Sequence, residues 1–174
     1  NLLITQQCRE EDLSRVVATY KTAKQKSDIK TFFDDISEKI KNSHLVISRS
    51  GASTVAELSV IGRPAILIPY QFAIDNHQKI NADAMVKSGG AWSFDESNLQ
   101  PKALANFLEE ILTDHEKLRS AAHASRNFGT PKSSEVLADL ISQITKTNIS
   151  ELKSKFKQAN TAQKLGGDYE KTPN

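Results

Sequence analysis

Short apolar runs alternate along the chain with longer segments in which apolar residues recur every three or four positions, the order expected of strands feeding helices around a parallel sheet. Leu2 to Thr5 predicts a first strand, and Glu10 to Lys26 predicts a helix with Leu13, Val16, Val17, Tyr20 and Ala23 on one face. Ile29 to Phe33 predicts a second strand, with Asp34 and Asp35 as candidate caps for a helix from Ile36 to Lys41. Leu45 to Ile47 predicts a third strand, Thr54 to Ile61 a helix, and Ala65 to Ile68 a fourth strand that ends at Pro69. Gly62-Arg63-Pro64 stops the helix before that strand, and Asp75 offers a cap for a helix from His77 to Lys87 after it. Gly89-Gly90 turns the chain into an edge strand, Ala91 to Phe94. Pro101 opens a helix running to Leu112, and two more are expected at His115 to Asn127 and Ser133 to Lys146. The class is α/β.

A chain of 174 residues with 38% hydrophobic content has enough apolar surface for one sizeable core, placed over residues 1–148. From 149 to 174 the composition turns to Gln, Asn, Lys and Gly with few apolar positions. Such a segment cannot offset its ordering entropy with a core, so a flexible polar tail is expected. The net charge of +2 also belongs there, since 151–174 holds five lysines against Glu151, Asp168 and Glu170. The remainder is neutral, with both signs mixed along its helices, which argues against a nucleic-acid partner. Cys8 is the only cysteine, so the chain has no internal disulfide and no metal-binding Cys pair, in keeping with a reducing, cytoplasmic setting. No run approaches the roughly 20 apolar residues of a membrane-spanning helix. Asn1-Leu2-Leu3-Ile4-Thr5 reads as a strand already under way, with neither an initiator Met nor a charged leader, which predicts a piece of a longer chain.

The richest stretch is Ser48-Arg49-Ser50-Gly51-Ala52-Ser53-Thr54-Val55-Ala56-Glu57, joining the third strand to a helix at the carboxyl end of the sheet, where open α/β sheets bind ligands. A turn of small residues lets an anion approach the free N–H groups of the helix's first turn, where the helix dipole adds positive charge, and a diphosphate suits it. Glu57 lies about one turn further on and has two readings. A carboxylate can accept two hydrogen bonds from the vicinal diol of a ribose, but Thr54-x-x-Glu57 is also the pattern of a capping box, in which Glu57 folds back on a backbone N–H. Gly51 likewise either relieves a tight turn or leaves room for a ligand. Two more loops reach the same rim. Pro69-Tyr70-Gln71-Phe72-Ala73-Ile74-Asp75-Asn76-His77-Gln78 brings His77 and Gln78, either donors to phosphate and sugar or solvated surface. Thr31-Phe32-Phe33-Asp34-Asp35 brings two aromatic rings, either both in the core or one flanking a flat base.

At these residues the sequence resembles the MurG family of glycosyltransferases, over about residues 2–145. The most specific parts are Phe32-Phe33-Asp34-Asp35, the stretch Ser48 to Leu58 with Gly62-Arg63-Pro64-Ala65, and Asp75-Asn76-His77-Gln78 with Asn81-Ala82. The resemblance implies a Rossmann-like parallel sheet with helices on both faces, the C-terminal half of a GT-B enzyme in which two such domains face a cleft. It implies a UDP-N-acetylglucosamine donor, held with no metal or other cofactor, and inverting transfer of N-acetylglucosamine to the lipid-linked muramyl-pentapeptide precursor of peptidoglycan, lipid I to lipid II. By the same resemblance the backbone at Phe33 reads uracil and Glu57 binds the ribose hydroxyls. The turn Ser50, Gly51, Ala52, Ser53 and Thr54 faces the diphosphate, and Gln78 with His77 lies near the diphosphate and the sugar. Many relatives carry two glutamines where this sequence has His77-Gln78, and one residue fewer in the loop before them. The family's glycine-rich donor loop, and the N-terminal domain that receives the lipid acceptor and supplies the base, are expected before Asn1. No catalytic base is therefore assigned here, and this chain alone is expected to be inactive. The intact protein is expected at the cytoplasmic face of the plasma membrane, in peripheral contact with it. Two other readings use the same residues: the donor domain of another GT-B glycolipid glycosyltransferase, and a non-catalytic UDP-sugar-binding fragment.

Overall fold

Apolar β-branched and aromatic runs become strands here only where a neighbouring strand pairs with them, and the helices between cover what the strands expose. The computed structural model describes residues 2–146. The chain divides into two compact units, Asn1–Thr130 and Pro131–Asn174. The first holds β1 (Ile4–Gln7), α1 (Glu10–Thr22), β2 (Ser27–Lys30), α2 (Ile36–Asn42), β3 (Val46–Ser48), α3 (Ala52–Ile61), β4 (Ala65–Leu67), α4 (His77–Lys87), β5 (Ala91–Ser93), α5 (Pro101–Thr113) and α6 (His115–Phe128). Every pairing is parallel, in a two-stranded sheet β1-β2 and a three-stranded sheet β3-β4-β5. The described part of the second unit is a helical stretch over 133–146, with Val136, Leu137, Leu140, Ile141 and Ile144 exposed. The tail expected from residue 149 lies outside the described residues.

β4 positions the rest. Its residues Ala65, Ile66 and Leu67 are all 0% exposed, and because successive side chains point to opposite faces, the sheet is covered on both. On one face Ala65 and Leu67 join Ile40 of α2, Val55 and Leu58 of α3, Ala82 and Met85 of α4, and Ala91 in one cluster. On the other face Ile66 stands in register with Trp92. Trp92 and Phe94 both meet the Phe107 ring of α5 edge-on, at 5.7 and 5.2 Å between centroids. This is the α/β layering that the alternation of runs predicts, and β5 is the edge strand expected after Gly89-Gly90.

The two strands of the first sheet differ from expectation for a common reason. β1 begins at Ile4 rather than Leu2, and β2 spans Ser27–Lys30 rather than Ile29 to Phe33. The register Ile4↔Ser27 to Gln7↔Lys30 sets both strands by their ladder partners, not by their most apolar residues. Leu2 and Leu3 stay exposed. α1 ends at Thr22 rather than Lys26 because Lys24 turns to φ 51° and the Gln25 N–H bonds the Tyr20 carbonyl. The expected side-chain caps are also corrected. Asp35 occupies the cap position of α2 without a side-chain bond to its first turn, its carboxylate lying 3.8 Å from Lys39 Nζ instead. Asp75 and Asn76 enter α4 through two successive left-handed residues, φ 52° and 53°, which Asp and Asn tolerate best after Gly, and neither side chain caps the helix.

α3 does end as Gly62-Arg63-Pro64 predicts. Gly62 has φ 78°, and the Gly62 and Arg63 N–H groups both return to the Leu58 carbonyl. A Cβ on Gly62 would lie 2.9 Å from Arg126 Cβ. Gly62→Ala is therefore expected to destabilise the fold by at least the ~1–2 kcal/mol of a left-handed alanine, read as a lower urea midpoint; an unchanged midpoint would mean the turn has another route. Arg63 reaches back to bond the Lys41 carbonyl at 2.6 Å, so this part of the motif braces α2 against α3. A close contact fixes the far end of the sheet too. The Ser125 hydroxyl of α6 bonds the Arg63 carbonyl at 3.0 Å, and a Cβ on Gly90 would stand 2.7 Å from Ser125 Cα.

Candidate functional site

The parallel strands place three loops on one rim, at the carboxyl ends of β3, β4 and β5. The turn 49–51 leads into α3, the loop 68–76 into α4, and residues 94–96 leave β5. β2 brings a fourth segment, 31–35, which α2 ties to the rest by a bond from Ser37 Oγ to Glu57 Oε1 at 2.6 Å.

α3 begins at Ala52, two residues before the predicted start, with Gly51 as its cap residue and no side chain capping it. Thr54 therefore lies inside the first turn, and Glu57 is too far along to fold back in a capping box, so that reading is corrected. The half-buried Glu57 carboxylate instead faces Ser37 across to α2. Gly51 sits at φ −59°, ψ 149°, ordinary extended backbone, and a Cβ there would meet only Thr54 Oγ1 at 3.7 Å. Neither turn geometry nor packing requires a glycine at 51; what a side chain would occupy is the space before the uncapped helix. Ala52 and Ser53 are exposed beside it, and Thr54 is half-buried.

Ser50 is 0% exposed, and its hydroxyl donates to the Gln78 carbonyl at 2.7 Å while its own carbonyl accepts from Asn81 Nδ2 at 3.1 Å. Its hydroxyl thus stitches the α3 turn to the first turns of α4. Gln78 is half-buried, with Oε1 accepting from the Tyr70 N–H at 3.0 Å. His77 stands exposed at the first position of α4. Of the two phenylalanines, Phe33 is buried, 2% exposed, with Lys30 and Lys39 Nζ 5.3 and 5.6 Å from its ring centre. Phe32 is 67% exposed, so the expectation that both pack in the core does not hold.

Several supporting contacts carried no signal in the sequence. Arg49 forks onto Glu96, Nη2 to Oε1 at 2.6 Å and Nη1 to Oε2 at 2.8 Å, and Nη1 also donates to the Ile68 and Pro69 carbonyls at 3.2 and 3.4 Å. The guanidinium holds the Glu96 carboxyl below the usual carboxylate range, and Glu96 in turn raises Arg49. With a depressed folded pKa the pair is intact at neutral pH and loosens only as pH falls through that lowered value. Glu96 lies 47 residues from Arg49 and Ser37 lies 20 from Glu57, separations at which neither spacing nor periodicity points to a partner. A shallow depression of about 620 Å³, lined by Ser88, Ser120, His123, Ala124, Asn127 and Phe128, lies by the opposite end of α4 and includes none of these residues.

The rim therefore offers an uncapped helix start with room before it, a carboxylate one turn along, and an amide from the neighbouring helix. That set suits a phosphorylated diol. A UDP-N-acetylglucosamine–N-acetylmuramyl-(pentapeptide) pyrophosphoryl-undecaprenol N-acetylglucosamine transferase of Rhodospirillum rubrum is 44% identical over 154 residues, covering 88% of this chain and 40% of that protein. The transferase of the same name from Agrobacterium fabrum is 43% identical over 155 residues, with 88% and 41% covered. The chain thus spans about two fifths of the length of these curated relatives. Among solved structures, Acinetobacter baumannii MurG matches with a TM-score of 0.74 at 29% identity, covering 82% of this chain and 43% of that one. The fold is the Rossmann-like C-terminal half of the GT-B architecture. Residues 1–144 match the glycosyltransferase family 28 C-terminal domain, and the chain belongs to that family.

Proposed function

We propose that this domain holds UDP-N-acetylglucosamine as the donor for inverting transfer of N-acetylglucosamine to a lipid-linked muramyl-pentapeptide, and that it needs the rest of a longer protein for turnover. The observation that carries the reading is the start of α3: an uncapped first turn behind Gly51, with the Glu57 carboxylate one turn along on the same rim. The names of the relatives support this donor and acceptor.

In such a transfer the acceptor's 4-hydroxyl attacks the anomeric carbon, the bond from that carbon to the β-phosphate oxygen breaks, and UDP departs with the electron pair. Charge grows on the diphosphate. Backbone N–H groups of the 51–54 turn and the dipole of α3 stabilise it, being already oriented before reaction. Glu57 accepts from the ribose diol, the Phe33 backbone reads the uracil edge, and Gln78, with His77 beside it, reaches the diphosphate and sugar. None of these groups takes the proton of the attacking hydroxyl, a task left to the partner domain, which also receives the lipid at the cytoplasmic face of the membrane. Among the described residues no helix is long and apolar enough to cross a membrane, and contact there is peripheral.

Calorimetric titration of this chain with UDP-N-acetylglucosamine, UDP, UDP-glucose and ADP tests the reading. Uridine ligands are expected to bind in preference to ADP, with the N-acetyl sugar favoured over glucose. Equal binding of ADP would remove the uracil assignment, and no binding of any of the four would leave this chain without the proposed activity.

A further inference from the structure

Gln78 is held from two sides, and the two holds determine which way its amide faces. Its backbone carbonyl accepts from Ser50 Oγ at 2.7 Å, which keeps it against the α3 turn. Its side-chain oxygen accepts from the Tyr70 N–H at 3.0 Å. A backbone N–H can only donate, so the amide atom facing Tyr70 is oxygen, and the NH₂ group lies on the other side. No described residue accepts from that NH₂.

The Tyr70 N–H is itself aimed. It belongs to the same planar trans peptide as the Pro69 carbonyl, and in such a unit C=O and N–H point in opposite directions. Arg49 Nη1 holds that carbonyl at 3.4 Å and the preceding one, of Ile68, at 3.2 Å, and the guanidinium lies 5.5 Å from the Tyr70 ring centre. Arg49 is in turn fixed by the two-pronged bond to Glu96. A single chain of contacts therefore runs from Glu96 through Arg49 and the Pro69–Tyr70 peptide to the Gln78 amide.

We propose that Arg49 is a positioning residue: by pinning the Pro69–Tyr70 peptide it orients the Gln78 amide, whose NH₂ group is the donor that the reading above brings to the sugar diphosphate. The ligand part of this inference rests on the donor-binding reading above; the positioning part does not. Arg49 touches no ligand in this scheme. A lysine would keep the charge but could not fork onto Glu96 while holding two carbonyls.

The test uses the full chain, first without ligand, by hydrogen exchange at single amides. In Arg49→Met the Tyr70 amide is expected to exchange about tenfold faster, with the β4 amides unchanged. The same acceleration is expected in Arg49→Lys, which serves if the Met variant does not fold. In a Gln78→Ala background, where Tyr70 has already lost its acceptor, Arg49→Met should add nothing. An unchanged Tyr70 rate in both Arg49 variants, or equal acceleration with and without Gln78, overturns the positioning role even if UDP binds. The second measurement is titration with UDP-N-acetylglucosamine. Gln78→Glu keeps an acceptor for Tyr70 but replaces the donor group with negative charge, and is expected to lower affinity about tenfold or more while Tyr70 stays protected. Wild-type affinity in Gln78→Glu overturns the donor assignment. Failure of the wild type to bind removes the donor-binding reading and the ligand role of Gln78 with it, while the exchange rates still decide the positioning role.

Discussion

Glu57→Ala is expected to weaken UDP binding by about 1.5–3 kcal/mol, the range for hydrogen bonds to a charged group, while leaving the melting temperature close to wild type. The second half of that expectation follows from the corrected geometry. Glu57 caps nothing, and its one side-chain partner, Ser37, is itself exposed. Comparing UDP with its 2′-deoxy analogue isolates the diol. Wild type should discriminate between the two and Glu57→Ala should not; equal loss of affinity for both ligands would place the carboxylate away from the ribose.

The neighbouring position should behave in the opposite way. Leu58 is 0% exposed, in the cluster between α3, β4 and α4, and Leu58→Ala is expected to cost about 2–5 kcal/mol of folding stability through lost burial and the cavity left behind. Nucleotide affinity of the folded fraction should change little, because α3 presents 57 and 58 to different surroundings. Chemical denaturation gives the first quantity and titration well below the melting temperature the second. A loss under 1 kcal/mol would mean that the cluster closes over the missing atoms.

What the sequence made legible was whatever local chemistry decides. The βα order, the stop at Gly62-Arg63-Pro64 and the edge strand at 91 follow from periodicity and from glycine and proline, and the structure has all three. Strand ends were less legible because the ladder sets them: Ile4–Gln7 is a strand by virtue of Ser27–Lys30, although Leu2 and Leu3 are the more apolar residues. The two readings of Glu57 turned on whether α3 starts at 52 or 54. Ala52 and Ser53 are compatible with either, and only the folded chain distinguishes them. Phe32 and Phe33 were indistinguishable as letters; burial separates them. The Arg49–Glu96 fork and the Ser37–Glu57 bond join residues that meet only after the sheet is assembled, so no window of sequence contains both partners.

The seat of α6 against the Gly89-Gly90 turn has a consequence for how this domain can change over generations. With a Gly90 Cβ position only 2.7 Å from Ser125 Cα, and the Ser125 hydroxyl anchored on the Arg63 carbonyl, neither residue can grow without lifting the helix off the sheet. Positions 90 and 125 are thus coupled by distance: a larger residue at either is viable only alongside a compensating shift of α6. Descendants of this chain should keep glycine at 90, because the closest atoms a Cβ would meet are the Ser125 backbone Cα and N and no change of side chain at 125 removes them, even though the two positions are 35 residues apart in the sequence.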